Sequence, residues 1–214
     1  MEIIRQFLDF ILHIDVHLRS IVTNYQTWTY LILFAIIFCE TGLVVTPFLP
    51  GDSLLFAAGS VAGLGLLNIW CLLPLFFLSA FSGDNTNYFI GNFIGPKVFQ
   101  KNYRFIRKEY LEKTHNFYEK HGGKTIIIAR FIPIIRTFAP FVAGVGSMTY
   151  KKFIGFSIIG NLLWISIFTT SGYLLGSNAF VQKHFSMATL AIIAISVVPI
   201  FIGYLKHRLS SDKK

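Results

Sequence analysis

Apolar positions run through most of this chain, and its parts are told apart by what interrupts them. From Ile4, the apolar residues Phe7, Ile11, Ile14, Leu18 and Ile21 recur at steps of three and four. Arg5, Asp9 and His13 fall on another face, so residues 1–25 read as an amphipathic helix lying along a membrane surface. Trp28 to Val45 is an apolar run of a length that crosses a bilayer core, and it contains Glu40. In residues 46–65, Pro47, Pro50, four glycines and Asp52 break an apolar stretch, which predicts a re-entrant hairpin. Leu66 to Phe81 is apolar again and continues into GDNTNYFIGNFIG at 83–95, a second span with a polar lower half.

Residues 97–124 are the one extended hydrophilic segment, rich in lysine and arginine. Residues 125–146, broken by Arg130, Pro133, Arg136 and Pro140, predict a second re-entrant hairpin. Two uninterrupted runs follow, Phe153 to Gly176 and Ser186 to Leu205, each long enough to cross, and residues 206–214 form a basic tail. The expected fold is an all-α polytopic membrane protein in a single membrane domain. It has about four spanning helices and two facing re-entrant helical hairpins in an inverted-repeat arrangement, with the amphipathic helix in front.

Composition agrees with this layout. Of 214 residues 54% are hydrophobic and 14% charged, and the mean hydropathy is +0.60, too little polar surface to coat a soluble globule. The net charge of +9 is clustered between apolar runs rather than spread over a folded polar face, which argues against a nucleic-acid partner. By the positive-inside rule the N-terminal helix, the 97–124 segment with Lys151 and Lys152, and the tail lie on the cytoplasmic side. The first hairpin then enters from the outer face and the second from the inner face, so the two point at each other near the midplane. Asp9, His13 and Asp15 interrupt the N-terminal apolar stretch, so it is expected to remain on the mature protein.

Several motifs carry little. Cys39 and Cys71 lie in apolar stretches without metal-ligand spacing and read as small buried hydrophobes. His13 and His17 are one turn apart but lack a third ligand and read as surface histidines. GLG at 63–65 and GVG at 144–146 are not complete dinucleotide motifs, so neither metal nor cofactor is expected.

The chemistry concentrates in five residues. Of ten carboxylates only Glu40, Asp52 and Asp84 lie in apolar surroundings, and of nineteen basic side chains only Arg130 and Arg136 do. An ionisable group in a bilayer interior costs several kcal/mol, so each is a functional candidate that needs a partner or a hydrated cavity. Facing hairpins would bring the acidic and basic members together. Arginine keeps its proton and grips phosphate or carboxylate with a planar fork, which makes Arg130 and Arg136 the substrate-binding candidates. Glu40 and Asp52 are the proton-coupling candidates. Asp84, in an asparagine-rich helix end, is a secondary candidate that also reads as a plain interhelical bond. The competing reading of all five is that buried ion pairs only lock helices in register.

Glu40 followed by PFLPGDSLL at 47–55, GDNTNYFIGNFIG at 83–95, ARFIPIIRTFAPFVAG at 129–144 and FIGFSIIGNLLW at 153–164 together carry a resemblance to the DedA family of bacterial inner-membrane proteins, relatives of the VTT-domain lipid scramblases. The resemblance spans roughly residues 28–205. It implies a multi-pass protein of the inner membrane with both termini cytoplasmic. It implies flipping of a lipid phosphate, undecaprenyl phosphate first and phospholipid second, with a link to the proton motive force. It also implies that Glu40, Asp52, Arg130 and Arg136 are required. A proton-coupled antiporter for a small cation or drug, and a nontransporting scaffold whose basic segment holds membrane lipids or protein partners, are the alternatives. No nucleophile with an adjacent base stands in the apolar segments, so the chain is read as a non-enzyme. Self-association stays open.

Overall fold

The computed structural model describes residues 14–25, 27–43, 51–100, 124–146, 148–176, 178–183 and scattered positions to 191. The described residues are helical, and among them there is no strand. In chain order the helices are α1 (Ile14–Tyr25), α2 (Trp28–Gly42), α3 (Gly51–Gly63), α4 (Ile69–Gln100), α5 (Pro133–Val145), α6 (Tyr150–Gly176) and α7 (Ala179–Lys183). A short helical stretch at 124–129 precedes α5. Among the described residues α6 is the one helix both long and apolar enough to cross a membrane on length and composition. Most of the fourth expected span and most of the basic 97–124 segment lie outside the described residues, as do His13, Pro47, Pro50 and the approach to the first hairpin.

Each broken segment delivers one buried helix. Gly51 opens α3, and every residue from Gly51 to Ala62 is buried, with Asp52 in the first turn. In the second segment the chain turns at 130–132, and Pro133 starts α5, the position where its missing N–H is harmless. Pro140, read from sequence as a breaker, instead sits inside α5. The neighbours of α5 tie it in place beside that residue: the Asn87 amide on α4 donates to the carbonyl of Thr137, 2.6 Å, and to that of Thr41 at the end of α2, 3.2 Å.

The packing crosses over. The first broken helix, α3, lies mainly on α6, while the second, α5, lies mainly on α4. Both crossings are close enough that backbone meets backbone. A Cβ on Gly59 would strike the carbonyl of Thr169, and one on Gly172 that of Phe56; at the other crossing a Cβ on Gly144 would strike the carbonyl of Tyr88 and one on Gly91 that of Phe141. Helix α1 tucks Leu18 and Val22 into the core beside α3. The Tyr88 hydroxyl donates to the Met148 carbonyl, 2.6 Å, and its ring stacks on Phe153, tying α4 to the start of α6.

Polarity is inverted relative to a water-soluble fold. Glu40, Asp52, Asp84, Asn87, Arg130, Arg136 and Asn161 are buried, while Trp70, Leu78, Phe93, Ile167 and Leu174 are exposed. Such an apolar exterior suits a lipid solvent. Cys39 is half-buried, and Cys71, expected to be buried, is exposed, because it lies on the outer, apolar face of α4.

Candidate functional site

The five ionisable residues singled out from sequence converge on one buried site. Glu40 comes from the last turn of α2, Asp52 from the first turn of α3 and Asp84 from the middle of α4. Arg130 stands at the break before α5, and Arg136 in its first turn. The break puts both guanidiniums on the same side of the second segment, where the acidic helices meet it.

Two clusters form. In the first, Arg136 donates through Nη2 to Glu40 Oε1 and through Nη1 to Asp52 Oδ1. In the second, Arg130 Nη1 pairs with Asp84 Oδ1 at 2.7 Å, and Nη2 donates to Asn161 Oδ1. Asp84 is then saturated from the other side, since Ser157 Oγ donates to its Oδ2 at 2.7 Å and Asn161 Nδ2 at 2.9 Å. Glu40 packs against the first residue of α3 so closely that any side chain on Gly51 would overlap its carboxylate. The ion pairs exclude nearly all solvent, with the side chains of Arg130 and Arg136 4% and 2% exposed.

Trp164 joins the clusters. Its indole Nε1 donates to Asp52 Oδ1, 2.8 Å, and the guanidinium carbons of both Arg130 and Arg136 lie 4.9 Å from its ring centroid. This residue, with Ser157 and Asn161, was not singled out from sequence. The signal was present: Ser157, Asn161 and Trp164 follow at intervals of four and three along α6, one helical face carrying polar atoms in an apolar span.

A small cavity of about 10 Å³, the size of a single water, borders Asp84, Arg130, Arg136 and Ser157, and has Ile126, Ala139, Pro140 and Gly160 for its apolar walls. Glu40 Oε2, Arg130 Nε and Arg136 Nε find no hydrogen-bond partner among the described residues. The arrangement is a closed one: each guanidinium is occupied by carboxylates of the protein itself, and a ligand of phosphate size fits only if those carboxylates give way. Among the described residues no group of His, Cys, Asp and Glu is placed to hold a metal ion.

Comparison with known proteins places the site in a family. The VTT domain matches residues 49–174, an interval that contains Asp52, Asp84, both arginines and Trp164 and leaves Glu40 just outside. Protein DedA of Escherichia coli strain K12 is 52% identical over 216 aligned residues, which cover 100% of this chain and 99% of the relative. An uncharacterized membrane protein of Mycobacterium tuberculosis is 46% identical over 174 residues, 80% of this chain and 76% of the relative. Inner membrane protein YqjA of Escherichia coli strain K12 is 31% identical over 175 residues, 81% of this chain and 80% of the relative. No solved structure matches the chain. The chain therefore belongs to the DedA family of VTT-domain membrane proteins.

Proposed function

We propose that this protein moves a lipid phosphate, most simply undecaprenyl phosphate, across a bacterial inner membrane by exchanging the phosphate for its own carboxylates on Arg136 and Arg130. The observation that carries the reading is Arg136 held by both Glu40 and Asp52 in a dry site. A guanidinium kept on carboxylates of the protein is a guanidinium kept ready for another doubly accepting oxyanion, because carboxylate and phosphate satisfy the same fork.

Charge balance supplies the coupling. Glu40, Asp52 and Asp84 face Arg130 and Arg136 in the site, three carboxylates against two guanidiniums. Protons taken up by Glu40 and Asp52 release Arg136 to a phosphate headgroup, and loss of those protons returns the carboxylates and expels the headgroup. The hydrocarbon chain stays in lipid throughout, so only the headgroup enters the site. Helix α2 runs parallel to α4, with Tyr30 beside Asn68, Phe34 beside Ser79 and Thr41 beside Asn87, and ends at the middle of α4. This corrects the expectation that Trp28 to Val45 crosses ahead of the hairpin: α2 and α3 together make the first re-entrant hairpin, and its meeting with the second near the midplane completes this reading. It is supported by the crossed packing of α3 on α6 and α5 on α4. An inner-membrane location is supported by the name of the relative YqjA. In this reading the lipid phosphate is carried and not chemically changed.

The excess carboxylate favours a second reading, a proton-coupled antiporter in which Glu40 and Asp52 bind a small cation. Substrate charge separates the two. Purified protein in proteoliposomes should translocate undecaprenyl phosphate faster under a pH gradient, and Arg130→Ala and Glu40→Gln at matched folding should each lose that activity. A wild-type protein that moves no lipid phosphate under any gradient would overturn the lipid reading.

A further inference from the structure

Two guanidiniums repel, and their carboxylate partners do not hold them together, since Asp84 sits with Arg130 while Glu40 and Asp52 sit with Arg136. What the two arginines share is the Trp164 ring, 4.9 Å from each. The electron-rich face of an indole attracts guanidinium, most strongly where water is excluded, and Trp164 is fully buried. One turn earlier, Asn161 takes Arg130 Nη2, so α6 fixes Arg130 at two points. The indole N–H meanwhile donates to the same Asp52 oxygen that Arg136 grips. When Arg136 leaves Asp52, this neutral donor remains.

We propose that Trp164 is the positioning residue that registers Arg130 and Arg136 on a single phosphate headgroup and keeps Asp52 hydrogen-bonded while Arg136 is turned to that ligand. The inference rests on the lipid-phosphate reading above. The ring does the registering, and losing it weakens binding. The N–H shelters Asp52 during exchange, and losing it slows turnover.

The chain has three tryptophans, and the other two, Trp28 and Trp70, are 67% and 79% exposed and remote from the ion pairs. Replacing both by phenylalanine leaves Trp164 as the sole tryptophan reporter in an otherwise intact protein. In phosphatidylcholine vesicles carrying increasing undecaprenyl phosphate, Trp164 emission should change saturably, with a midpoint matching the KM for translocation. Trp164→Leu, which keeps bulk and loses the ring, should raise KM about tenfold or more. Trp164→Phe, which keeps the ring and loses the N–H, should hold KM within about threefold while lowering the maximal rate about tenfold.

Translocation with no change in Trp164 emission overturns this inference alone. So does a Trp164→Phe protein with both constants at the parent's level, a test that stands even where Trp164→Leu fails to fold. An emission response to inorganic phosphate equal to that of the lipid keeps the Trp164 assignment and overturns the lipid-phosphate reading. A parent that shows neither translocation nor response overturns both.

Discussion

Arg136 reaches two carboxylates on two different helices with one planar fork, and that geometry determines what a substitution there does. Arg136→Lys keeps the charge but can no longer span Glu40 and Asp52 at once, so lipid-phosphate transport should fall at least about tenfold at normal membrane abundance. Unchanged transport by the lysine variant would remove the two-point grip from the mechanism.

The Arg130–Asp84 pair predicts differently, because Asp84 also receives Ser157 and Asn161 from α6. Removing one partner strands the other charge, so Arg130→Met or Asp84→Leu alone should cost about 3–5 kcal/mol of stability. The double variant should recover most of that loss, because both charges are then gone. Thermal unfolding in detergent measures the cycle, and simple additivity of the two losses would contradict the pairing.

At the scale of elements, the fold depends on places where no side chain fits. Gly59 on α3 faces the Thr169 carbonyl of α6, whereas Gly155 on the same α6 has open space, with nothing within 4 Å of an added Cβ. Gly59→Leu should therefore push α3 off α6, displace Asp52 and abolish accumulation of folded protein. Gly155→Leu should retain the wild-type unfolding midpoint and serves as the matched control. Asn87 ties the end of α2 to the interior of α5 through two buried carbonyls. Asn87→Ala should cost about 1–3 kcal/mol, and a midpoint equal to wild type would show that the two carbonyls find other donors.

At the scale of the whole molecule, the proposed topology puts Leu66 on the outer side and Lys152 on the cytoplasmic side. In a background without Cys39 and Cys71, a membrane-impermeant maleimide should label Leu66→Cys in intact cells and Lys152→Cys only after the membrane is opened. Labelling of both from outside would break the proposed topology. Leu66 is exposed in the turn between α3 and α4 and Lys152 is exposed at the start of α6, so labelling reports sidedness rather than burial.

Much of this molecule was legible in its residues. The helical class, the two proline-marked segments and the five ionisable candidates follow from one physical rule: charge, proline and glycine are costly among lipid-facing residues, so where they persist they have partners. The same rule is silent on partnership. It could not assign Arg136 to Glu40 and Asp52 together or Arg130 to Asp84, because those pairs are 46 to 96 residues apart and depend on how helices cross. It treated Pro140 as a break, though α5 carries that residue in its interior. It also passed over Trp164, whose type fits any apolar span. Only when α6 lies against α3 and the second broken segment does its indole come between two arginines and an aspartate. Sequence by itself determined which groups could not be left alone in a membrane; the tertiary structure decided which of them meet, because meeting is set by backbone approach at glycines and not by any local pattern.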